Sequence, residues 1–354
     1  MDDETRKRRD ACTRFLTGDG PVSPAEQLAR IPAGVVPDVY GDGGVVADLE
    51  AHVAHLLGKP AAVFLPSGTM AQGATLRVHA DARGRRTVLW HPYCHLDAHE
   101  EQAPARLHGL LGRPVGGPDR LITRADLDAV AEPVAALLLE LPQRDLGGQL
   151  PSWDDLVDQV RWARDHGAAV HLDGARLWEA SAGYGRTPAE ISALFDSVYV
   201  SFYKGIGALP GCCVAGSVEL VAQVREWRRR LGGTLYGLWP LAASALALLP
   251  ERLAEMPGRL AHARAIAAAV RAVPGVRVVP DPPQTPMMHL LLTVPGDRYA
   301  ANARRIADDD GLWVWPKAMR TPDPDVARVE LSVGRATCAL DPATVTETLA
   351  DLTA

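Results

Sequence analysis

The stretch Val170-His-Leu-Asp-Gly-Ala-Arg176 puts an aspartate directly behind an apolar run, and Ser201-Phe-Tyr-Lys-Gly-Ile-Gly207 puts a lysine behind a second run, Val198–Val200. Asp173 and Lys204 stand 31 residues apart, about the length of one strand–helix–strand crossover. Such a crossover lays both strands parallel in one sheet, so the two side chains reach the same sheet edge. Open α/β sheets bind their ligands at that edge. An aspartate at the end of a buried strand is costly unless it is paired. A lysine among apolar and glycine-rich neighbours is partly desolvated, which lowers its pKa and frees an amine nucleophile.

Working outward, the alternation fills residues 45–220. Strands are expected at Ala61–Leu65, Thr87–Trp90, Val134–Leu141, Ala168–Leu172 and Ser197–Val200. Helical periodicity marks Val45–Leu57, Ser67 to about Ala80, Trp153–His166 and Pro188–Leu194. The class is therefore α/β, a mostly parallel sheet covered by helices. From Val218 the pattern turns helical, with Val218–Leu231, Trp239–Leu249 and Gly258–Val273 as separate helices. Strands at Val276–Val279, His289–Val294, Leu312–Trp315 and Ala327–Val333 follow, and Asp341 caps a final helix. The division read from this is an N-terminal segment 1–34, a large α/β domain 35–250 and a small α+β domain 251–354.

Composition narrows the function. With 354 residues, 47% hydrophobic and 23% charged, the chain is an ordinary globular sequence. A formal charge of −6 gives no electrostatic warrant for a nucleic-acid partner. Five cysteines without a C-x-x-C pair exclude a disulfide framework and suit a reducing compartment, and Cys212-Cys213 reads as packing beside the lysine loop. The charged start lacks the apolar core of a secretory signal, and Leu238–Leu249 is too short to span a bilayer. A cytoplasmic enzyme with no membrane partner is the expectation.

A third segment completes the chemistry. Phe64-Leu-Pro-Ser-Gly-Thr-Met70 runs from strand to helix start, where free N–H groups, the hydroxyls of Ser67 and Thr69 and the positive end of the dipole can cradle a phosphate. A phosphate cradle, a carboxylate for a ring nitrogen and a Schiff-base lysine together describe a pyridoxal phosphate site. His91, His95 and His99 could be read as a zinc cluster, but no cysteine or second cluster completes it, and no metal is expected.

Tyr40-Gly-Asp42, Leu65-Pro-Ser-Gly-Thr-Met70, His171-Leu-Asp-Gly-Ala-Arg176 and Lys204-Gly-Ile-Gly207 resemble, in order, the motifs of low-specificity threonine aldolases. These belong to the β-eliminating lyase group of fold type I pyridoxal phosphate enzymes. The resemblance spans roughly residues 35–250. It implies cleavage of a β-hydroxy-α-amino acid to glycine and an aldehyde, with β-elimination or other α-carbon chemistry on a small amino acid as the alternative. It also implies a homodimer or homotetramer.

By residue, the resemblance makes Lys204 the cofactor lysine, Asp173 the partner of the pyridine nitrogen, and Ser67, Gly68 and Thr69 the phosphate loop. Arg176 falls near the cofactor hydroxyl and the substrate carboxylate, and Tyr40 falls to the substrate. His95, with His99 as its rival, stacks on the ring. Arg229, in Trp227-Arg-Arg-Arg-Leu-Gly-Gly233, reaches the neighbouring subunit's phosphate. A second carboxylate arginine is Arg335 or Arg328. Arg335 is favoured because Gly334 permits a turn, while Arg328 reads as a surface residue where a strand begins.

The family's Ser-Asp-Thr element is replaced here by Phe15–Pro21, and its Glu-Asn-Thr-His segment by Glu140–Asp145. Tyr203 stands where serine is usual, and Tyr236 where an arginine is usual. The substrate-facing half departs further from the family than the cofactor half.

Overall fold

A computed structural model describes residues 1–319 and 321–354. The chain forms two compact units: residues 23–143 with 150–254, and residues 1–22 with 144–149 and 255–354. This division departs from the sequence boundaries. The first residues are no separate segment, because Arg14–Phe15 pairs in parallel with Leu312–Trp313.

The larger unit holds a seven-stranded sheet. Its strands are β1 (Ala61–Leu65), β2 (Thr87–Trp90), β3 (Leu111–Pro114), β4 (Ala136–Glu140), β5 (Ala169–Gly174), β6 (Ser197–Ser201) and β7 (Cys212–Gly216). The spatial order is β1-β7-β6-β5-β4-β2-β3. All neighbours run parallel except β7, which is antiparallel to both β1 and β6. Cys212 and Cys213 thus lie within a central strand. The loop between β6 and β7 is too short for a crossover, so the chain returns antiparallel. Helices α1 (Gly44–Leu56), α2 (Gly68–Arg83), α3 (Trp153–Asp165), α4 (Leu177–Tyr184) and α5 (Val218–Arg230) belong to this unit.

One expectation fails in the middle of the chain. Residues Trp239–Val270 form a single helix, α6, and not two. Pro250 and Pro257 remove backbone donors within it, yet the Ala- and Leu-rich turns around them keep the helix continuous. The chain passes from the larger to the smaller unit within α6.

The smaller unit is built on an antiparallel sheet of β8 (Val276–Val279), β9 (Met287–Thr293) and β10 (Val326–Ser332), with β9 central. Helix α7 (Gly296–Asp310), which the sequence reading passes over, buries Tyr299, Ala303, Ile306 and Ala307 as a stripe at helical spacing. Helix α8 (Pro342–Thr353) is capped by Asp341, whose side chain accepts from Thr344 N–H. Among the described residues, no helix is long and apolar enough to cross a membrane.

Candidate active site

Strands β5 and β6 pair in parallel, with Asp173 opposite Tyr199 and Gly174 opposite Val200. The loop that follows β6 carries Lys204 back over the same sheet edge. A cavity of about 290 Å³ opens there, and its lining includes Ser67, Gly68, Thr69, His95, Asp173 and Lys204. Six residues singled out from four separate stretches of sequence therefore share one cavity.

The electrostatics of each member follow from burial. Asp173 is 2% exposed, and its Oδ1 accepts from Ala175 N–H at 3.1 Å. Burial holds the Lys204 amine below the usual lysine range; the Asp173 carboxylate opposes that shift and Arg176 adds to it. A Cβ at Gly205 would meet the Glu179 carboxylate, which would have to move aside.

The phosphate cradle has a signature among the helix starts. Ser23, Thr123, Ser152, Thr187, Ser217 and Asp341 all fold back to accept a backbone N–H of their own helix. Ser67, the N-cap of the 16-residue α2, does not. Its hydroxyl and the first N–H groups of α2 face the cavity region uncapped. A Cβ at Gly68 would collide with the Tyr199 hydroxyl, so only glycine lets the turn approach that side chain. Together these residues fit a group bearing a phosphate, a basic ring nitrogen and a carbonyl carbon.

His95 lines this cavity, and its Nδ1 lies 3.2 Å from Glu100 Oε1. His99 is not part of the lining; its ring lies 5.1 Å from that of His95. His91 is turned away, with Nε2 3.0 Å from the Arg120 carbonyl. Among the described residues no group of three or more His, Cys, Asp or Glu side chains could hold a metal. Arg176, half-buried, is the N-cap of α4 and lies near enough to Lys204 to influence its charge.

Tyr40 and Arg229 are not in the Lys204 cavity. They meet with Thr234 in a second, open cleft on the same unit, which Asp42, Arg225 and Arg228 also line. Tyr40 is 51% exposed and sits at φ 53°, a left-handed conformation costly for a residue with a Cβ. Three hydrogen bonds hold this turn: Tyr40 N–H donates to the Tyr236 carbonyl at 2.9 Å, and buried Asp38 accepts from Gly41 N–H and from Leu238 N–H.

In the smaller unit, Gly334 is the N-cap of a short helix, and Arg335 Nε donates to Glu255 Oε1 at 2.8 Å. Arg328 is a half-buried residue within β10, paired in register with Leu291, and not a surface residue.

The lining also holds residues the sequence reading passed over as site members: Gln72, Glu100, Tyr199 and Tyr203. Gln72 had a signal. It follows Gly68 by four residues and Thr69 by three, which puts it on the cradle's face of α2.

Known proteins resemble this chain along most of its length. The family model of beta-eliminating lyases matches residues 23–292. The Arabidopsis thaliana protein named "probable low-specificity L-threonine aldolase 2" is 31% identical, over 86% of this chain and 88% of its own. A solved Listeria monocytogenes structure, assigned as an L-allo-threonine aldolase, shares 37% identity at a TM-score of 0.92, covering 99% of this chain and 98% of its own. An Exiguobacterium structure, assigned as an aromatic amino acid beta-eliminating lyase/threonine aldolase, shares 35% identity at a TM-score of 0.93, covering 99% of each chain.

Proposed function

This chain belongs to the beta-eliminating lyase family, and on that premise we propose that it is a pyridoxal-phosphate-dependent lyase that cleaves a small β-hydroxy-α-amino acid to glycine and an aldehyde. The observation that carries the reading is the meeting of Lys204, Asp173 and the uncapped Ser67–Thr69 turn in one cavity. When bound, the cofactor supplies a protonated pyridine ring that withdraws electrons from the substrate's α-carbon.

The chain's own residues do the rest. Lys204, its amine held below the usual lysine range by burial, would be the nucleophile that holds the cofactor. Asp173 keeps a proton at the ring nitrogen. Ser67, Gly68 and Thr69 bind the phosphate through hydroxyls and helix-start N–H groups. His95, in the cavity lining, would contact the cofactor. With Nδ1 beside Glu100, Nε2 is the ring nitrogen placed to take the β-hydroxyl proton. For the substrate carboxylate the reading assigns Arg176 and Arg335, whose planar forks suit bidentate pairing.

The second cleft motivates the assembly. Tyr40 and Arg229 lie apart from Lys204 within one chain, so the reading places them at the neighbouring copy's site in a homodimer or homotetramer. The five cysteines, all unpaired and four of them buried, suit the cytoplasm.

The deciding experiment incubates the cofactor-loaded protein with threonine, allo-threonine, phenylserine and serine. Glycine plus aldehyde is the expected result. A keto acid plus ammonia would replace the aldolase reading with β-elimination.

A further inference from the structure

Behind the cavity lies a chain of four buried polar side chains from three elements. His79 Nε2 on α2 is 2.7 Å from Ser197 Oγ on β6, which is 2.7 Å from His171 Nδ1 on β5. His171 Nε2 is in turn 2.7 Å from Gln72 Oε1, back on α2. All four residues are at most 4% exposed. Burial keeps both imidazoles neutral, pushing His171 down to about 3 and His79 to about 4.

A neutral imidazole carries one N–H, and that decides the direction of every bond. Gln72 Oε1 only accepts, so the proton of His171 sits on Nε2. His171 Nδ1 therefore accepts from the Ser197 hydroxyl, and Ser197 Oγ accepts from His79 Nε2–H. The donors run one way, from His79 to Gln72. The Gln72 carbonyl is thereby tied inward, and its NH₂ group is left at the cavity that it lines together with Asp173. Among the described residues this NH₂ has no hydrogen-bond partner, although Gln72 is only 3% exposed.

The opposite direction would aim the Gln72 carbonyl at a cavity that already holds the Asp173 and Glu100 carboxylates. The cavity wants a donor. His171 precedes Asp173 by two residues on β5, so the two share one face of the strand, and a side chain bonded to His171 lies beside Asp173.

We propose that Gln72 is a further binding residue of the cavity, its amide N–H held donor-first toward a ligand seated beside Asp173 by the buried relay His79–Ser197–His171. This rests on the cofactor reading above, in which Asp173 serves the ring nitrogen.

Two substitutions separate this role from a merely structural one. Gln72→Glu keeps an acceptor for His171 but puts a second carboxylate beside Asp173. Gln72→Met keeps the shape but leaves the His171 N–H without an acceptor. Titrating the cofactor-free proteins with pyridoxal phosphate, the dissociation constant is expected to rise about 100-fold in Gln72→Glu and about 10-fold in Gln72→Met. Thermal stability should rank the other way, with Gln72→Met the less stable. Ser197→Ala, which removes the relay's middle hydroxyl, should weaken cofactor binding a few-fold.

A structural role alone makes Gln72→Met the worse variant in both measurements, and that result would overturn the proposal. So would a Gln72→Glu protein that binds the cofactor as wild type does. If Gln72→Glu does not fold, unchanged affinity in both Gln72→Met and Ser197→Ala overturns it equally. A wild-type protein that takes up no pyridoxal phosphate would instead sink the cofactor reading itself.

Discussion

The cavity at Lys204 and the cleft at Tyr40 lie in one unit but are built on opposite terms. The first is sunk into the sheet edge: Asp173 is 2% exposed, the lysine is desolvated, and a Cβ at Gly68 would meet the Tyr199 hydroxyl. The second is open and basic, lined by Arg225, Arg228 and Arg229, with Tyr40 held in a strained conformation at its rim. Arg225 is paired with Glu50 and buried Arg228 donates to the Phe64 carbonyl, but the strain at Tyr40 costs stability and exposed Arg229 lines the cleft without a role in the Lys204 cavity. A region of that kind is explained when its contacts lie on another molecule, whereas the Lys204 cavity already brings its chemical groups together. The difference separates where the reaction is done from what a second copy lends to it.

The largest expected effect tests the closed cavity. Lys204→Ala should lower turnover by about 10⁴-fold or more, because the nucleophile is lost while the cradle remains. Borohydride treatment of the loaded wild-type protein should fix a pyridoxyl group on Lys204, as read by peptide mass. Label on another lysine would move the centre of the site elsewhere.

Asp173→Asn is expected to come next, at about 10²- to 10⁴-fold in kcat, with the cofactor still bound and still visible by absorbance. The amide has nearly the same shape but cannot hold the ring nitrogen's proton as an anion does. Near-native turnover would assign that proton to another group.

The open cleft is sharpened by Arg229→Ala, for which cofactor affinity should fall about 10-fold. A mixing experiment then asks whose site Arg229 serves. Lys204→Ala and Arg229→Ala chains, refolded together, form hybrids in which one site receives both native residues. At a cofactor concentration too low to load the Arg229→Ala protein, roughly a quarter of wild-type activity should return if Arg229 acts across a dimer. No recovery would place its action within its own chain, or show that it has none.

What was legible in the sequence follows the same divide. Lys204, Asp173 and Ser67–Thr69 could be read because each sits where a strand ends, and period and turn chemistry are local signals. The Gln72–His171–Ser197–His79 relay could not, since its members pair across 99, 26 and 118 positions of sequence. The direction of β7 was hidden for a related reason. An apolar run such as Cys212–Gly216 looks the same in either orientation, and only the short loop before it forces the antiparallel return. Pro250 and Pro257 lie between the two expected helices, and there the surrounding helix overrides a local breaker. Helix α7 was overlooked despite a clear stripe, because its exposed face is densely charged.

The smallest effect concerns the substrate's carboxylate, where Arg335 and Arg328 compete. Arg335 is 41% exposed at its side chain and already shares its charge with Glu255. A guanidinium that is partly neutralised and well solvated gives up less on losing a further carboxylate than a buried, unshared one does. Arg335→Ala is therefore expected to raise KM only about 3- to 10-fold, with kcat and the cofactor's absorbance unchanged. Arg335→Lys should recover little of this if the pairing is bidentate, because an ammonium lacks the planar fork. Arg328 lies half-buried within β10, opposite Leu291, so Arg328→Ala should lower thermal stability and leave KM near native. Should KM rise with Arg328→Ala and not with Arg335→Ala, the clamp belongs to the strand and not to the turn after Gly334. If neither moves KM, Arg176 alone remains to hold the carboxylate, and Arg176→Ala becomes the variant to measure.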